Sequence, residues 1–365
     1  MKSNKTCQQF GGVNPVTGES LDPQFIDASD SEIAAVLDQA AEAASSLRRF
    51  TGIQIGELLD AISLSVESQR DAIVERCQLE TGYPAERVLG EFGRMVAAMR
   101  RFGRVAQRGD WLAVRIDHGD PERQPLPKPD LRRMNVPIGP VVVFGASNFP
   151  LALSVGGSDV ASALAAGCPV VVKAHPSHPG TAQLLAESIA GAVRTLKFPN
   201  GTFSMVQGVS NFVGQTLVEH PAVRAVAFTG SLGGGRAIFD MAAQREIPVP
   251  VYAEMGSLNP QFVFPEMLQD DATGFARRLF AAATMGNGQF CTNPSMVFLA
   301  GDVSPFIAQY RALISEYPGA PMLNARIRDA FERGLDRWER VRGLEVLDGF
   351  RPAEGVAIGA RAACA

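Results

Sequence analysis

The sequence of 365 residues lacks the marks of several protein classes. Its five cysteines, at positions 7, 77, 168, 291 and 364, form no CxxC pair. An odd and scattered set argues against a disulfide framework and against a zinc site, and it predicts a reducing, cytoplasmic setting. The four histidines, His118, His175, His178 and His220, make no HExxH-like spacing, so no metal is expected. No stretch reaches the ~18 consecutive apolar residues of a membrane span, and residues 1–30 hold no apolar run of signal type. The formal net charge is −4, too mild to argue for nucleic acid or an anionic membrane as a partner.

What is present is globular. Hydrophobic residues make up 46% and charged residues 20%, and the length allows two or three domains with a sizeable core. Residues 1–30 read as an irregular lead-in with turns near Asn14-Pro15 and Thr17-Gly18. Helical spacing begins at Ser29, and further helices are expected over about 51–67, 69–80 and 84–107. Trp111 to Ile116 has the look of a strand. Pro121, Pro125, Pro127 and Pro129 then mark an extended connector within 108–137, because each proline lacks a donor and restrains its predecessor.

From Pro137 the pattern alternates between short Val-rich runs and helices. Strands are expected at 141–144, 169–173, 203–206, 223–228 and 249–253, with helices over about 154–166, 180–195, 211–219 and 231–243. Such runs imply a parallel sheet covered on both faces, a Rossmann-like doubly wound α/β domain whose ligands bind beyond the strands' carboxyl ends. A composition shift near residue 256 begins a second α/β region. It has a strand at 261–264, a helix over about 270–285 and a Gly-rich loop.

Five positions could carry chemistry. Cys291 follows Gly286-Asn287-Gly288-Gln289-Phe290, a loop dense in backbone N–H groups that helps a thiolate; alone, such a cysteine is more often a small packing residue. Glu254 ends an apolar strand, where burial would raise its pKa toward that of a general base, or where it simply faces solvent. Asn148, before Phe149-Pro150, is placed to donate to an oxyanion or to make a turn. Lys173 ends a strand and reads as a ribose or phosphate ligand or as a snorkelling lysine. The turn Phe228-Thr229-Gly230-Ser231 leads into a helix whose N–H groups suit an anion.

In combination these segments resemble the aldehyde dehydrogenase superfamily, in the family's order and spacing over nearly the whole chain. Phe144-Gly145-Ala146-Ser147-Asn148-Phe149-Pro150, Ala166-Gly167-Cys168-Pro169-Val170-Val171-Val172-Lys173-Ala174-His175-Pro176 and Glu254-Met255-Gly256-Ser257 resemble the branch of α-ketoglutarate semialdehyde (2,5-dioxovalerate) dehydrogenases and related NADP-dependent enzymes. The resemblance implies that Cys291 attacks an aldehyde, that Asn148 stabilises the oxyanion and that Glu254 activates water against the thioester. It implies a cofactor-binding domain over 1–255 and a catalytic domain from 256 to 365. Lys173, His175, Phe228, Gly230 and Ser231 would hold the cofactor. NADP is expected, with NAD tolerated, because Pro176 stands where NAD-preferring relatives carry an acid. A carboxylated semialdehyde needs a cation, for which Arg100 and Arg101 are the candidates, although each is more often simply a solvated helix charge. A long-chain aldehyde would instead need an apolar funnel, and an inactive nucleotide-binding product is the third reading.

The family also implies a homo-oligomer and a continuation beyond residue 300 with a Glu-Ile/Val-Phe-Gly-Pro segment. That segment is not found. Residues 343–350 are similar to the family sequence shortly before it, so the catalytic domain is expected to be incomplete.

Overall fold

The computed structural model describes residues 7–338 and 340–344, with the backbone of 348–349 and 363–364. Residues 343–350, which resemble family sequence, and the closing residues 361–365 therefore lie largely outside the described part. The expected irregular lead-in is instead a hairpin, β1 (Gln9–Val13) and β2 (Ser20–Ile26), paired antiparallel around the turn at Asn14. Its missed signal is the weak alternation in a strand that carries Pro23. Four helices follow: α1 (Asp30–Leu47), α2 (Gly52–Ser68), α3 (Arg70–Thr81) and α4 (Ala85–Arg108). Ser29 and Thr51 close capping boxes on α1 and α2, each taking the N3 amide while the N3 side chain returns to the cap.

Trp111 does not begin a strand. Asp110–Leu112 is a 3₁₀ turn, and the strand β3 is only Arg115–Asp117, paired with β4 (Leu131–Arg133). These strands are exposed throughout, so no burial extends them.

The alternating region forms β5 (Val141–Phe144), α5 (Ser158–Ala165), β6 (Val170–Lys173), α6 (Pro179–Thr195), β7 (Phe203–Val206), α7 (Asn211–Glu219), β8 (Ala225–Thr229), α8 (Leu232–Gln244) and β9 (Val251–Glu254). The five strands pair in parallel in the order β7-β6-β5-β8-β9. The chain winds outward from β5 to β7, then returns to the other side of β5, which sets the topological switch point between β5 and β8. Alternate residues feed opposite cores. Val141, Val143, Val170, Val172, Ala225 and Ala227 pack with α2 to α6 on one face. Val142, Phe144, Val171 and Val226 pack with α1, α7 and α8 on the other. Each of these valines contributes about 2 kcal/mol by burial, which is why the short runs persist as strands.

Beyond β9 come β10 (Gln261–Val263), α9 (Pro265–Thr284), a 3₁₀ turn at Met285–Gly288, β11 (Val297–Leu299), α10 (Ser304–Glu316) and α11 (Ala325–Trp338). α9 begins five residues before the expected start and is interrupted at Asp271. β10 and β11 pair in parallel, and Val263, Leu268, Ala276, Leu279 and Phe306 make a separate small core. No helix among the described residues is long and apolar enough to cross a membrane, and no cluster there could hold a metal ion.

Candidate active site

The carboxyl edge of the five-stranded sheet gathers the candidate residues. Cys291 follows three consecutive left-handed residues, Gly286 (φ 61°), Asn287 (φ 54°) and Gly288 (φ 75°). Glycine tolerates that backbone, and at Gly286 a Cβ would also strike the Phe290 ring. The turn is fixed by side chains. Gln289 Nε2 donates to Gly286 O at 3.1 Å, its Oε1 accepts from Leu323 N at 2.9 Å, and Asn287 Nδ2 donates to Ala320 O at 2.7 Å.

Two loops and a helix meet at this turn. Asn148, after β5, donates through Nδ2 to Gln289 O at 2.9 Å, and Phe149 lies 4.9 Å from the Phe290 ring. The loop after β9 joins through Ser257 Oγ and Asn259 Nδ2, which both donate to Cys291 O, the second at 2.7 Å. α4 supplies the third side. Tyr83 Oη, just before it, and Arg87 Nη2 each donate to Asn148 O at 3.2 Å. Glu91, 3% exposed, accepts from Leu151 N and Ala152 N at 2.8 and 2.9 Å and pairs with Arg87 at 2.7 Å.

Cys291 is half-buried, and its thiol is pushed up first by that burial, then by a hydrogen bond to Glu254 and the charge of Glu254. Its own N–H and the Arg94 guanidinium pull the other way. The Cys291 thiol and the Glu254 carboxylate therefore lie close enough to feel each other's charge. Glu254 is exposed, against the expected burial. β9 is an edge strand, so nothing among the described residues covers the outer side of the carboxylate. In register, Glu254 faces Thr229 and Tyr252 faces Ala227, which puts both side chains on the face that carries α5. There Asp159, half-buried in the first turn of α5, is raised by burial and secondarily by the charge of Glu254.

Further along the edge, Lys173 Nζ donates to Gly208 O, and burial lowers the ammonium to about 8. Asp27 opposes that shift, itself held ionised by the Val209, Ser210 and Gln8 amides. His175 Nδ1 accepts from Ser177 N at 3.2 Å, which leaves the ring proton on Nε2, and burial beside His178, Lys173 and Arg326 keeps the ring neutral. The Phe228 ring is a floor beneath the turn. A Cβ on Gly230 would meet it at 2.7 Å, and it lies 6.1 Å from Phe144. Ser231 caps α8 by accepting from Gly234 N at 3.3 Å. The Leu232 and Gly233 amides have no acceptor among the described residues, and a Cβ on Gly233 would meet nothing within 4 Å. α6 is the opposite case: Glu80 takes the Gly180 and Thr181 amides at 2.8 Å each. Of these two helix starts, α8 is the one open to an anion.

No contact among the described residues ties Arg100 or Arg101 to Cys291. Arg100 pairs with Glu67 at 2.5 Å, and Arg101 lies over Phe102. The cation acting on Cys291 is Arg94, which sequence reasoning missed along with Glu80, Arg87, Glu91 and Asp159. Their only sequence signal was polarity on helix faces that otherwise read as packing or solvent.

Comparison with known proteins fits this geometry. The model of the aldehyde dehydrogenase family matches residues 1–323. An alpha-ketoglutaric semialdehyde dehydrogenase 2 of Azospirillum brasilense is 41% identical over 344 residues, 93% of this chain and 66% of that protein. The alpha-ketoglutaric semialdehyde dehydrogenase of Acinetobacter baylyi is 42% identical over 319 residues, 85% of this chain and 60% of that protein. The chain thus spans less than two thirds of these relatives' length. A NAD-dependent benzaldehyde dehydrogenase from Corynebacterium glutamicum superposes over 96% of this chain and 75% of its own, with a TM-score of 0.81 and 22% identity, a likeness of fold alone. With residues 1–323 matched by the family model, the chain belongs to the aldehyde dehydrogenase family.

Proposed function

We propose that the chain encodes the NADP-dependent oxidation of an aldehyde bearing a carboxylate, α-ketoglutarate semialdehyde, to the dicarboxylic acid. The observation that carries this reading is the convergence on the Cys291 turn of the Asn148 loop, bonded to Gln289 O, and of the loop after β9 that follows Glu254, bonded to Cys291 O. The names of the two relatives above 40% identity support the substrate.

The chemistry follows from the contacts. The Cys291 thiol gives up its proton to solvent, and the thiolate adds to the aldehyde carbon to give a thiohemiacetal. The oxyanion formed accepts from the second Nδ2 proton of Asn148 and from the Cys291 N–H. A bound nicotinamide supplies the two-electron hydride acceptor. Loss of hydride leaves a thioester on Cys291, and Glu254 deprotonates the water that hydrolyses it, releasing acid and thiol. Residues 1–255 would hold the dinucleotide, with its pyrophosphate at the open N-terminus of α8 near Gly230 and Ser231. Lys173 and His175 would face the adenosine ribose. Pro176, where NAD-preferring relatives carry an acid, removes a repulsion against a 2′-phosphate, and the Phe228 ring supports the turn from below.

The test is NADP reduction with α-ketoglutarate semialdehyde, with and without coenzyme A, by this chain and by Cys291→Ala. Turnover that needs Cys291 and not coenzyme A is expected. Absence of Cys291-dependent reduction overturns the reading, and a requirement for coenzyme A replaces hydrolysis by acyl transfer.

A further inference from the structure

We propose that Arg94 is the specificity-determining cation of this site, holding the substrate's distal carboxylate while Cys291 attacks its aldehyde carbon. The assignment rests on the substrate reading above.

α4 turns two guanidinium groups toward the nucleophile. Arg87 and Arg94 are seven residues apart, two helical turns, and so share a face. Both lie over the Phe149 ring, at 4.6 and 5.3 Å from its centroid. Phe149 follows Asn148 and stacks on Phe290, the neighbour of Cys291. The two arginines are otherwise unlike. Arg87 is fully engaged: Glu91 neutralises it, Asn148 O accepts from it, and the Tyr83 and Phe290 rings flank it at 4.8 and 4.7 Å. Arg94 is exposed, and no carboxylate among the described residues pairs with it.

The closest acid along the helix does not fill that role. Glu91 is buried and is already bound by Arg87, Leu151 N and Ala152 N. Arg100 and Arg101 have their own partners farther along α4. The Arg94 charge nevertheless reaches the Cys291 sulfur. A planar, always-charged group is thus oriented by an aromatic ring at the rim of the nucleophile and left without an anion. Its five donors match a carboxylate, which a neutral aldehyde of the same length does not offer.

Alkylation of Cys291 by iodoacetate and by iodoacetamide tests the assignment without turnover. The same thiolate displaces iodide from both reagents, so the ratio of their rates cancels the thiol's own titration and reads the field felt by an entering carboxylate. Peptide mapping separates Cys291 from the other cysteines. Arg94→Gln is expected to lower the iodoacetate-to-iodoacetamide ratio by roughly three- to tenfold, and Arg94→Lys to keep it within about twofold of the parent. An unchanged ratio in Arg94→Gln overturns the assignment. In turnover, any loss that Arg94→Gln causes through the Cys291 thiol falls equally on pentanal, the uncharged five-carbon counterpart. The variant is therefore expected to raise KM for the semialdehyde about tenfold and to lower the semialdehyde-to-pentanal ratio of kcat/KM by the same factor. A parent chain that prefers pentanal overturns the substrate reading instead, and the alkylation ratio reads the Arg94 field separately from that result.

Discussion

Asn148 Nδ2 donates to Gln289 O at 2.9 Å and so ties the loop after β5 to the turn that presents Cys291. One amide proton is used in this bond, and in the proposed reaction the other donates to the oxygen that gains charge. Asn148→Ala removes both the donor and the tie. The expected loss is roughly 10²–10³ in kcat, with a smaller change in KM, because the second bond is made only as charge develops. Steady-state rates at saturating aldehyde read this directly. A kcat within about threefold of the parent would remove Asn148 from the oxyanion site.

Glu254 and Cys291 make a prediction of the opposite sign. The carboxylate favours the protonated thiol by hydrogen bond and by charge, on top of the larger effect of burial. Removing the charge in Glu254→Gln therefore lowers the thiol's titration midpoint, though burial keeps it raised. At pH 7–8 the variant's Cys291 should react faster with iodoacetamide than the parent's, while hydrolysis of the thioester slows. Slower alkylation in the variant would mean that Glu254 activates the resting thiol rather than holding its proton.

These contacts explain which parts of the molecule were legible in the sequence. The Val-rich strands were readable because a strand buried on both faces must be apolar at every position, and β7 and α7 fall where the pattern puts them. Cys291, Asn148 and Glu254 could be named from their loops. The exposure of Glu254 could not, because it depends on β9 being the edge of the sheet, which is a fact of strand order. Arg94 was hidden for a related reason. On α4 it reads like Arg100 and Arg101, and only the packing of Phe149 beside it separates the three. The hairpin of β1 and β2 was missed because it is held from outside its own sequence. Asp27, just beyond it, binds the Val209 and Ser210 amides across the fold.

Lys173 gives a pH dependence. Burial lowers its ammonium to about 8, so it is charged below that pH and neutral above it. If Lys173 faces the 2′-phosphate, NADP affinity falls as pH rises through about 8, and NAD affinity, with no phosphate to attract, changes less. Bound phosphate favours the charged lysine, so the midpoint in the complex lies higher than in the free chain. Titrating nucleotide binding by fluorescence at pH 7 and pH 9 checks this, with Lys173→Met as the control that abolishes the difference. Equal pH profiles for the two nucleotides would place the phosphate away from Lys173.

Glu80 decides which helix start is left for an anion. It is fully buried and accepts from Gly180 N, Thr181 N and Thr181 Oγ1 at 2.8, 2.8 and 2.7 Å, with Arg76 beside it at 2.9 Å. Pro179 at the start of α6 has no N–H, and Ala182 N bonds to His178 O, so the first turn is fully satisfied. Glu80→Ala strands two buried amides and leaves Arg76 without its carboxylate, at a cost of about 3–5 kcal/mol. Glu80→Gln keeps one acceptor oxygen and should cost less. Urea unfolding of the three chains measures both differences. A cost below about 1 kcal/mol for Glu80→Ala would mean that water replaces the carboxylate, and α6 would then be as open to a phosphate as α8.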